Sequence, residues 1–429
     1  MTRTVIVGNG RTGRAYAARL AERDGRGPVD LLGAEPGPVL CRSLLPSVLS
    51  GELPPHLLRL PPLPPPVTEY AGVPVTVVDR VRRVVVRADG REFPYDRLVL
   101  ATGSAPSLPP IAGAAGAEPP EGVAVLRSAA DAARIPAGAV VVLGGGPLAV
   151  EAAFALRRAG RAEVALVHRG PWPLDRHLPE RAGRALAARL GAAGVEVHLE
   201  QRAESYDRAK LTLADGRVLA ADALLPCTGT LPESRLAREA GLPVRTGVLT
   251  DAAGRTTDPA VHAIGSCAEP LRPRPGGSLL RLRADGAGLL AFGSLADAEE
   301  SVILADPAGH RYAELALRAG RVAGAAVIGL PHAVAAVTGL HDSGDPAPRD
   351  LLPLLLGSPA VVPAAGDPLD DVLCHCNDVT GHKLAAAWRR GARDLPALAR
   401  ATRATTGCGG CADEVRALCA VLTTERSDT

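Results

Sequence analysis

In the first half of the chain, hydrophobic residues fall in short unbroken runs rather than at the spacing of a surface helix. Val5-Ile6-Val7 is the first, and similar runs follow at 98–101, 139–143, 164–167 and 224–226, with a further strand at 29–33 interrupted only by Asp30. Runs of this length, bounded by glycine or polar turns, predict strands buried on both faces, as in parallel sheets. Two of them open the same succession of strand, glycine turn and alanine-rich helix, at Thr4–Leu20 and again at Val140–Leu156. Each copy is followed far downstream by a strand ending in Thr-Gly, Leu98–Gly103 in the first and Leu224–Gly229 in the second. Two copies of one nucleotide-binding unit are the economical explanation.

The pattern then changes. Residues 279–329 alternate short segments with turn signals such as Asp306-Pro-Ala-Gly309 and Ala319-Gly320, which predicts a small β-rich domain. Residues 341–369, rich in Pro, Asp and Gly, read as a linker. From Asp370 onward two cysteine pairs are separated and followed by helix-forming sequence.

Composition narrows the class. A chain of 429 residues suits about three domains. Apolar residues make up 47% and aromatics only 2%, so the cores must be built from Leu, Val and Ala. The 48 basic and 46 acidic residues nearly cancel and form no long run of one sign, so no nucleic-acid partner is expected. No stretch is long and apolar enough to span a membrane, and Met1 leads straight into a strand rather than a signal peptide. The expectation is a cytoplasmic protein, in which clustered cysteines indicate metal rather than disulfides.

Gly8-Asn-Gly10-Arg-Thr-Gly13 lies between a strand and a helix. The first glycine makes the tight turn, the second lets a pyrophosphate approach the backbone, and the third lets helix pack on strand. The unpaired N–H groups of the helix start face the phosphates. Glu35, after the next strand, can accept bonds from both ribose hydroxyls. In the second copy, Gly144-Gly-Gly146-Pro-Leu-Ala149 carries Ala149 at the third position, with Glu151 in the first helical turn. Its next strand ends at His168-Arg169 instead of an acid. Either Arg169 binds a 2′-phosphate and NADPH is accepted, or His168 stacks or faces solvent and NADH binds.

Cys374-His-Cys376 and Cys408-Gly-Gly-Cys411 can bring four thiolates together from two short loops. Four thiolates suit [2Fe-2S] or structural zinc; the tight C-x-C pair favours iron. Cys227, Cys267 and Cys419 have no partner pattern and are expected to be small buried side chains.

These pieces, in this order, resemble one family. The first 270 residues resemble the pyridine nucleotide–disulfide oxidoreductase fold, in the branch found in the assimilatory nitrite reductase large subunit. The likeness rests on Gly8–Gly13, Glu35-Pro-Gly-Pro with Arg42, Tyr95–Ser104, Gly144-Gly-Gly with Glu151-Ala-Ala, and Thr257–Glu269. Residues 311–329 resemble that branch's small C-terminal domain. The tail is similar to bacterioferritin-associated ferredoxin domains, which hold [2Fe-2S] on this cysteine spacing. The whole resembles the electron-transfer subunit of assimilatory nitrate reductase.

The resemblance implies an NAD(P)H-dependent, FAD-containing oxidoreductase of α/β class. Its parts would be two Rossmann-like domains for FAD and NAD(P), a small α+β domain, and a small helical C-terminal [2Fe-2S] domain. The expected boundaries are 1–107 with 246–277 for FAD, 108–245 for NAD(P), 278–340 for the small domain, 341–369 for the linker and 370–429 for the cluster. FAD would lie on Gly8, Gly10, Gly13, Glu35, Arg42, Val81, Ala101, Thr102, Gly103, Gly265 and Ser266. NAD(P) would lie on Gly144, Gly146, Ala149, Glu151, His168, Arg169 and Gly229. The cluster would sit on Cys374, Cys376, Cys408 and Cys411 and pass single electrons to a molybdenum-dependent nitrate reductase.

Three departures from the family pattern stand out. Ser266 replaces the acid that bonds the ribityl chain. The helix expected after Glu269 is replaced by Pro270–Gly277. The active-site cysteine pair is absent, leaving Cys41 alone beside Arg42. Rival readings are a reductase for a ferredoxin, a rubredoxin or another terminal enzyme, a flavin-depleted redox sensor or assembly partner, and a zinc-stabilised tail module.

Overall fold

The buried runs do form parallel sheets. The structure, a computed structural model, describes residues 2–22, 27–116, 118–161, 163–271, 280–282, 288–296, 298–356, 369, 372–374, 377, 379–406 and 411–424. These divide into two units. The first comprises Met1–Ser43, Leu58–Ser107 and Gly229–Pro275, and the second Leu44–Leu57, Leu108–Thr228 and Gly276–Thr429.

The first unit is organised on a five-stranded parallel sheet in the order Val261–Ala263, Arg97–Leu100, Thr4–Val7, Val29–Leu32, Val67–Tyr70. Successive side chains leave a strand on opposite faces. Val5 and Val7 therefore enter one core with Leu98, Leu100, Val248 and Val261, while Ile6 enters the other with Ala17, Leu20 and Leu31 from the Arg11–Ala21 helix and the next strand. Both faces of the central strands Thr4–Val7 and Arg97–Leu100 are covered, which is why Val5–Val7 and Leu98–Leu100 read as continuous apolar runs. The edge strand Val67–Tyr70 is partly exposed and carries Thr68 and Glu69.

The second unit repeats the device with four parallel strands in the order Val195–His198, Val164–Val167, Val140–Leu143, Ala223–Pro226, and with the Pro147–Arg158 helix. The small domain is a five-stranded antiparallel sheet, Leu280–Leu282, Leu289–Gly293, Arg321–Ile328, Arg311–Arg318, Glu300–Asp306. The Pro331–Ser343 helix packs on it through Ala333, Val334 and Val337. In the tail, a ladder of Val372–Cys374 with Val379–Thr380 precedes helices at Gly381–Arg389, Leu395–Thr402 and Ala412–Thr424.

Three expected boundaries move. Leu44–Leu57, expected with the FAD part, belongs to the second unit. The chain returns to the first unit at Gly229, not at 246, because Thr230–Pro232 pairs antiparallel with Ser104–Pro106. The proline-rich stretch from 341 is not all linker. His341 still belongs to the preceding helix, and Leu352–Leu356 forms a further helix whose Leu355 joins the small domain's core. Residues 357–368 of that stretch lie outside the described residues.

Candidate functional site

The two glycine turns match at the level of single hydrogen bonds. Gly8 N–H donates to Leu32 O (2.8 Å) and Ala101 N–H to Val7 O (2.7 Å). In the second copy Gly144 N–H donates to Val167 O (2.8 Å) and Cys227 N–H to Leu143 O (2.8 Å). Gly8 and Gly144 have φ of 121° and 126°, and a Cβ on either would overlap the backbone carbonyl oxygen of Ala101 or Cys227. Only glycine fits such a conformation and approach. Gly13 is held to the same standard, since its Cβ would overlap Gly8 O. Ala149 takes that place in the second copy and is fully buried.

Gly10 and Gly146 behave differently. Their φ values, −89° and −77°, suit any residue, and a Cβ on either would meet nothing within 4 Å. Neither backbone strain nor packing within the chain demands glycine there. A ligand pressed against the backbone would demand it. Both residues cap helices that have no side-chain cap and no acid in the first turn, so the terminal N–H groups are left for an anion. The cradles therefore fit two dinucleotides.

Around the first cradle, Glu35 is ion-paired with Arg42, and Gly72 N–H donates to Glu35 O (3.3 Å). Thr102 Oγ1 donates to Glu233 O (2.6 Å), and Glu233 N–H donates to Gly103 O (2.9 Å). Gly265 sits against Thr12, in the first turn of the nucleotide helix. Ser266 is exposed, and its hydroxyl makes no hydrogen bond among the described residues. After it the chain enters the strand Ala268–Pro270 instead of a helix. Glu269 fixes that course by accepting from Thr246 N–H (2.9 Å) and Gly247 N–H (2.8 Å) and pairing with Arg245. The Gly247 N–H, then Arg245, hold its carboxyl below the usual range. Residues 272–279 lie outside the described residues.

Val81 does not join this group. It is 97% exposed in the turn between the Val75–Asp79 and Val84–Arg87 strands. Neighbouring Arg80 is tied to Asp258 (2.8 Å), just ahead of the Val261–Ala263 strand and so at the end of the sheet opposite the glycine turn. The other end of the hairpin, at Gly72, is the part that reaches Glu35.

Sequence reasoning also missed a buried charge beneath the first cradle. Arg14, 6% exposed, donates to Asn9 Oδ1 (3.0 Å) and Pro61 O (2.7 Å) and pairs with Glu69. Asn9 Nδ2 in turn donates to Glu69 Oε2 (3.2 Å). The signal was available, because Gly13, Ala17 and Leu20 mark the inward face of this helix and Arg14 lies on it.

At the second cradle the His168 ring packs where a Cβ on Gly145 would be, and Leu174 N–H folds the following loop back onto Gly145 O (2.8 Å). His168 Nε2 lies 3.5 Å from Asp175. Burial pushes the imidazole below its usual range; the Asp175 carboxylate opposes this, while Arg169 and Arg176 add to it. A neutral ring flanked by two exposed arginines leaves positive charge at the strand end, and Arg176 is the member the motif did not reveal. The sequence placed Glu151 in the first helical turn, but the helix starts at Pro147 and Glu151 lies beyond that turn. It is buried, and its charge adds to the burial that pushes the Cys227 thiol up to about 12. That thiol is inert at neutral pH. Gly229 lies in the first unit, its carbonyl accepting from Ser107 N–H (3.0 Å).

In the tail, Cys374 and Cys411 are 2% and 5% exposed and share one apolar cluster with Leu384, Trp388, Leu398 and Val415. Cys411 O accepts from Val415 N–H (3.0 Å), so this sulfur stands at the start of the Ala412–Thr424 helix, where the dipole favours a thiolate. Trp388 Nε1 is a buried donor with no partner among the described residues. Sulfur ligands and a spare donor in an apolar shell fit an iron–sulfur centre. Cys376 and Cys408 lie outside the described residues. Cys267 is fully buried and donates to Leu100 O and Ile264 O. Cys419 packs at the edge of the tail core.

Residues 2–283 match the pyridine nucleotide-disulphide oxidoreductase family, and residues 372–420 match the BFD-like [2Fe-2S] binding domain. Nitrite reductase [NAD(P)H] of Bacillus subtilis is 28% identical over 95% of this chain and 56% of its own length. The assimilatory nitrate reductase electron transfer subunit of the same organism is 31% identical over 62% of this chain and 36% of its own. This chain thus spans about half or less of the length of these relatives. Among solved structures, the covalent putidaredoxin reductase–putidaredoxin complex superposes with a TM-score of 0.66 at 23% identity, covering 80% of this chain and 92% of that one.

Proposed function

The chain belongs to the pyridine nucleotide-disulphide oxidoreductase family, and on that premise we propose that it is the electron-delivering reductase of a separate molybdenum-dependent nitrate reductase. It is an NAD(P)H-dependent flavin oxidoreductase that carries a [2Fe-2S] domain. When bound, the flavin accepts a two-electron hydride from the nicotinamide and the cluster carries electrons one at a time. The residues supply positioning. Gly10 and Gly146 leave room for the two pyrophosphates, Glu35 with Arg42 addresses the ribose beside the first, and Arg169 with Arg176 attracts a 2′-phosphate beside the second.

The observation that carries the partner reading is the joining of a two-cradle reductase to a one-electron tail in a single chain. Such a tail serves no purpose if electrons leave the flavin in pairs. The four cysteines outside the tail's set are scattered single side chains, Cys41, Cys227, Cys267 and Cys419, and do not form a second centre for nitrite within these residues. No helix among the described residues is long and apolar enough to cross a membrane; we place the reaction in the cytoplasm, where free thiols persist.

Anaerobic mixing of the purified protein with NADH or NADPH tests the first half. The flavin absorbance should bleach, followed by the broad cluster envelope. Adding a purified molybdenum nitrate reductase with nitrate should then restore colour and yield nitrite. A chromophore that stays oxidised with both nucleotides would refute the reductase reading. Colour that returns with ferredoxin or rubredoxin and never with nitrate reductase would refute the partner.

A further inference from the structure

One side chain next to the first cysteine pair of the tail is hydrogen-bonded to the turn that leads, in sequence, to the second. Asn377 follows directly on Cys374-His-Cys376, and Arg403–Thr406 leads directly into Gly407-Cys408. Asn377 Nδ2 donates to Arg403 O (2.6 Å) and approaches Thr406 Oγ1 (3.3 Å) and Cys374 Sγ (3.9 Å). Its own N–H donates to Cys374 O (3.3 Å). On the other side Thr406 Oγ1 donates to Arg403 O (2.8 Å), so a lone pair of that hydroxyl is free to accept.

The second loop needs such a fastening. Arg403 and Thr405 have φ of 68° and 66°, a left-handed conformation that ordinary residues avoid and a β-branched threonine avoids most. Two such residues in one turn persist only where neighbours hold them, and this strain is characteristic of functional sites. The turn ends at Thr406, two positions before the ligand cysteine Cys408.

The geometry points to Asn377 as the positioning residue of the cluster. Its amide ties the Arg403–Thr406 turn, which precedes Cys408 in sequence, to the neighbourhood of Cys374, with Nδ2 within 3.9 Å of Cys374 Sγ. The inference rests on the [2Fe-2S] reading of the tail. An N–H bond to a ligand sulfur stabilises the more negative, reduced centre and so raises its potential. Aspartate in the same place would offer no donor and add a repelling charge. Leucine would keep the approximate shape, add no charge and lose the amide's donors together with its carbonyl acceptor, which makes Asn377→Leu the informative change. Thr406→Val is its control, because it removes one anchor and leaves the amide free to face Cys374.

The full-length protein, isolated without air, is titrated with redox dyes while the reduced cluster is followed by electron paramagnetic resonance. Iron release to a chelator is timed in parallel. At the potential where the wild-type cluster is half reduced, Asn377→Leu should show a reduced-to-oxidised ratio about tenfold lower, equivalent to about 59 mV for one electron. Thr406→Val should lose iron faster with its potential unchanged. If Asn377→Leu retains no iron while Thr406→Val does, the positioning role stands. A loaded Asn377→Leu cluster at the wild-type potential, or an equal shift in Thr406→Val, overturns the inference. A wild-type tail that holds no cluster refutes the [2Fe-2S] reading itself and is seen before any variant is made.

Discussion

Replacing Gly10 by alanine separates what the chain needs from what its ligand needs. The backbone at Gly10 is ordinary, and a Cβ there has nothing within 4 Å. In the apo protein two small effects oppose each other. Alanine restricts the unfolded chain, which stabilises by about 0.4–1 kcal/mol. It is also a poorer helix cap than glycine, at a cost of up to about 1 kcal/mol. The apo protein should therefore keep its stability to within about 0.5 kcal/mol, the residue of those two terms. FAD meets a different surface. A methyl where the pyrophosphate approaches is an overpacking of about 1–3 kcal/mol, roughly a fivefold to 150-fold loss of affinity.

The contrast is Gly13→Ala, whose Cβ would overlap Gly8 O. That clash is with backbone and cannot be relieved by a rotamer, so the apo protein itself should lose stability at the upper end of about 1–3 kcal/mol or beyond. The assay is urea unfolding of the flavin-free forms together with fluorescence titration by FAD. If Gly10→Ala binds FAD as tightly as wild type, the open space is not the pyrophosphate site. If it unfolds like Gly13→Ala, the reading of the turn is wrong.

Other expectations follow from the same geometry. Arg14→Met leaves Glu69 and Asn9 without their buried partner; breaking a fully buried pair costs about 3–5 kcal/mol, and since Glu69 is 33% exposed a loss of about 2 kcal/mol is expected by chemical unfolding. Arg169→Ala should raise KM for NADPH roughly tenfold, from about 1.5 kcal/mol for a charged hydrogen bond, and leave NADH kinetics unchanged in steady-state assays; equal effects on both nucleotides would remove the 2′-phosphate role. Glu269 has a folded pKa below its unfolded one, so its contribution is present above about pH 4.5 and is lost as pH falls through the lower folded value. Glu269→Gln should therefore flatten the drop in unfolding midpoint on going from pH 7 to acid; an unchanged slope would deny the Gly247 and Arg245 bonds their part. His168 works in the same direction, since its depressed folded pKa means the unfolded chain takes up more protons below about pH 6.5 and stability falls there; in His168→Gln that segment of the pH profile should disappear.

Much was legible because it is dictated locally. Four-residue apolar runs, a glycine turn and an alanine-rich helix can satisfy buried backbone only as a strand–turn–helix, and both copies fold that way down to matching hydrogen bonds. The requirement for glycine at 8, 13 and 144 is a property of the turn itself. The cysteine spacing likewise narrows the tail's chemistry to [2Fe-2S] or structural zinc, with iron favoured, before any fold is known.

What the sequence alone could not decide is what distant segments do to one another. Val81 is implied by the family resemblance to lie on FAD, yet hairpin pairing carries it to the far end of the sheet, and Gly72 reaches Glu35 instead. The return at Gly229 depends on an antiparallel pair with Ser104–Pro106, more than a hundred residues earlier. Arg14 finds Glu69, and Asn377 finds Arg403 and Thr406, only when sheet and helices bring them together. A side-chain amide or guanidinium carries no local signal of its partner, because its hydrogen bonds can be made to any acceptor the tertiary fold presents. The chain's pattern thus determined the elements and the chemistry of the ligands, while long-range packing decided which polar groups hold those ligands in place.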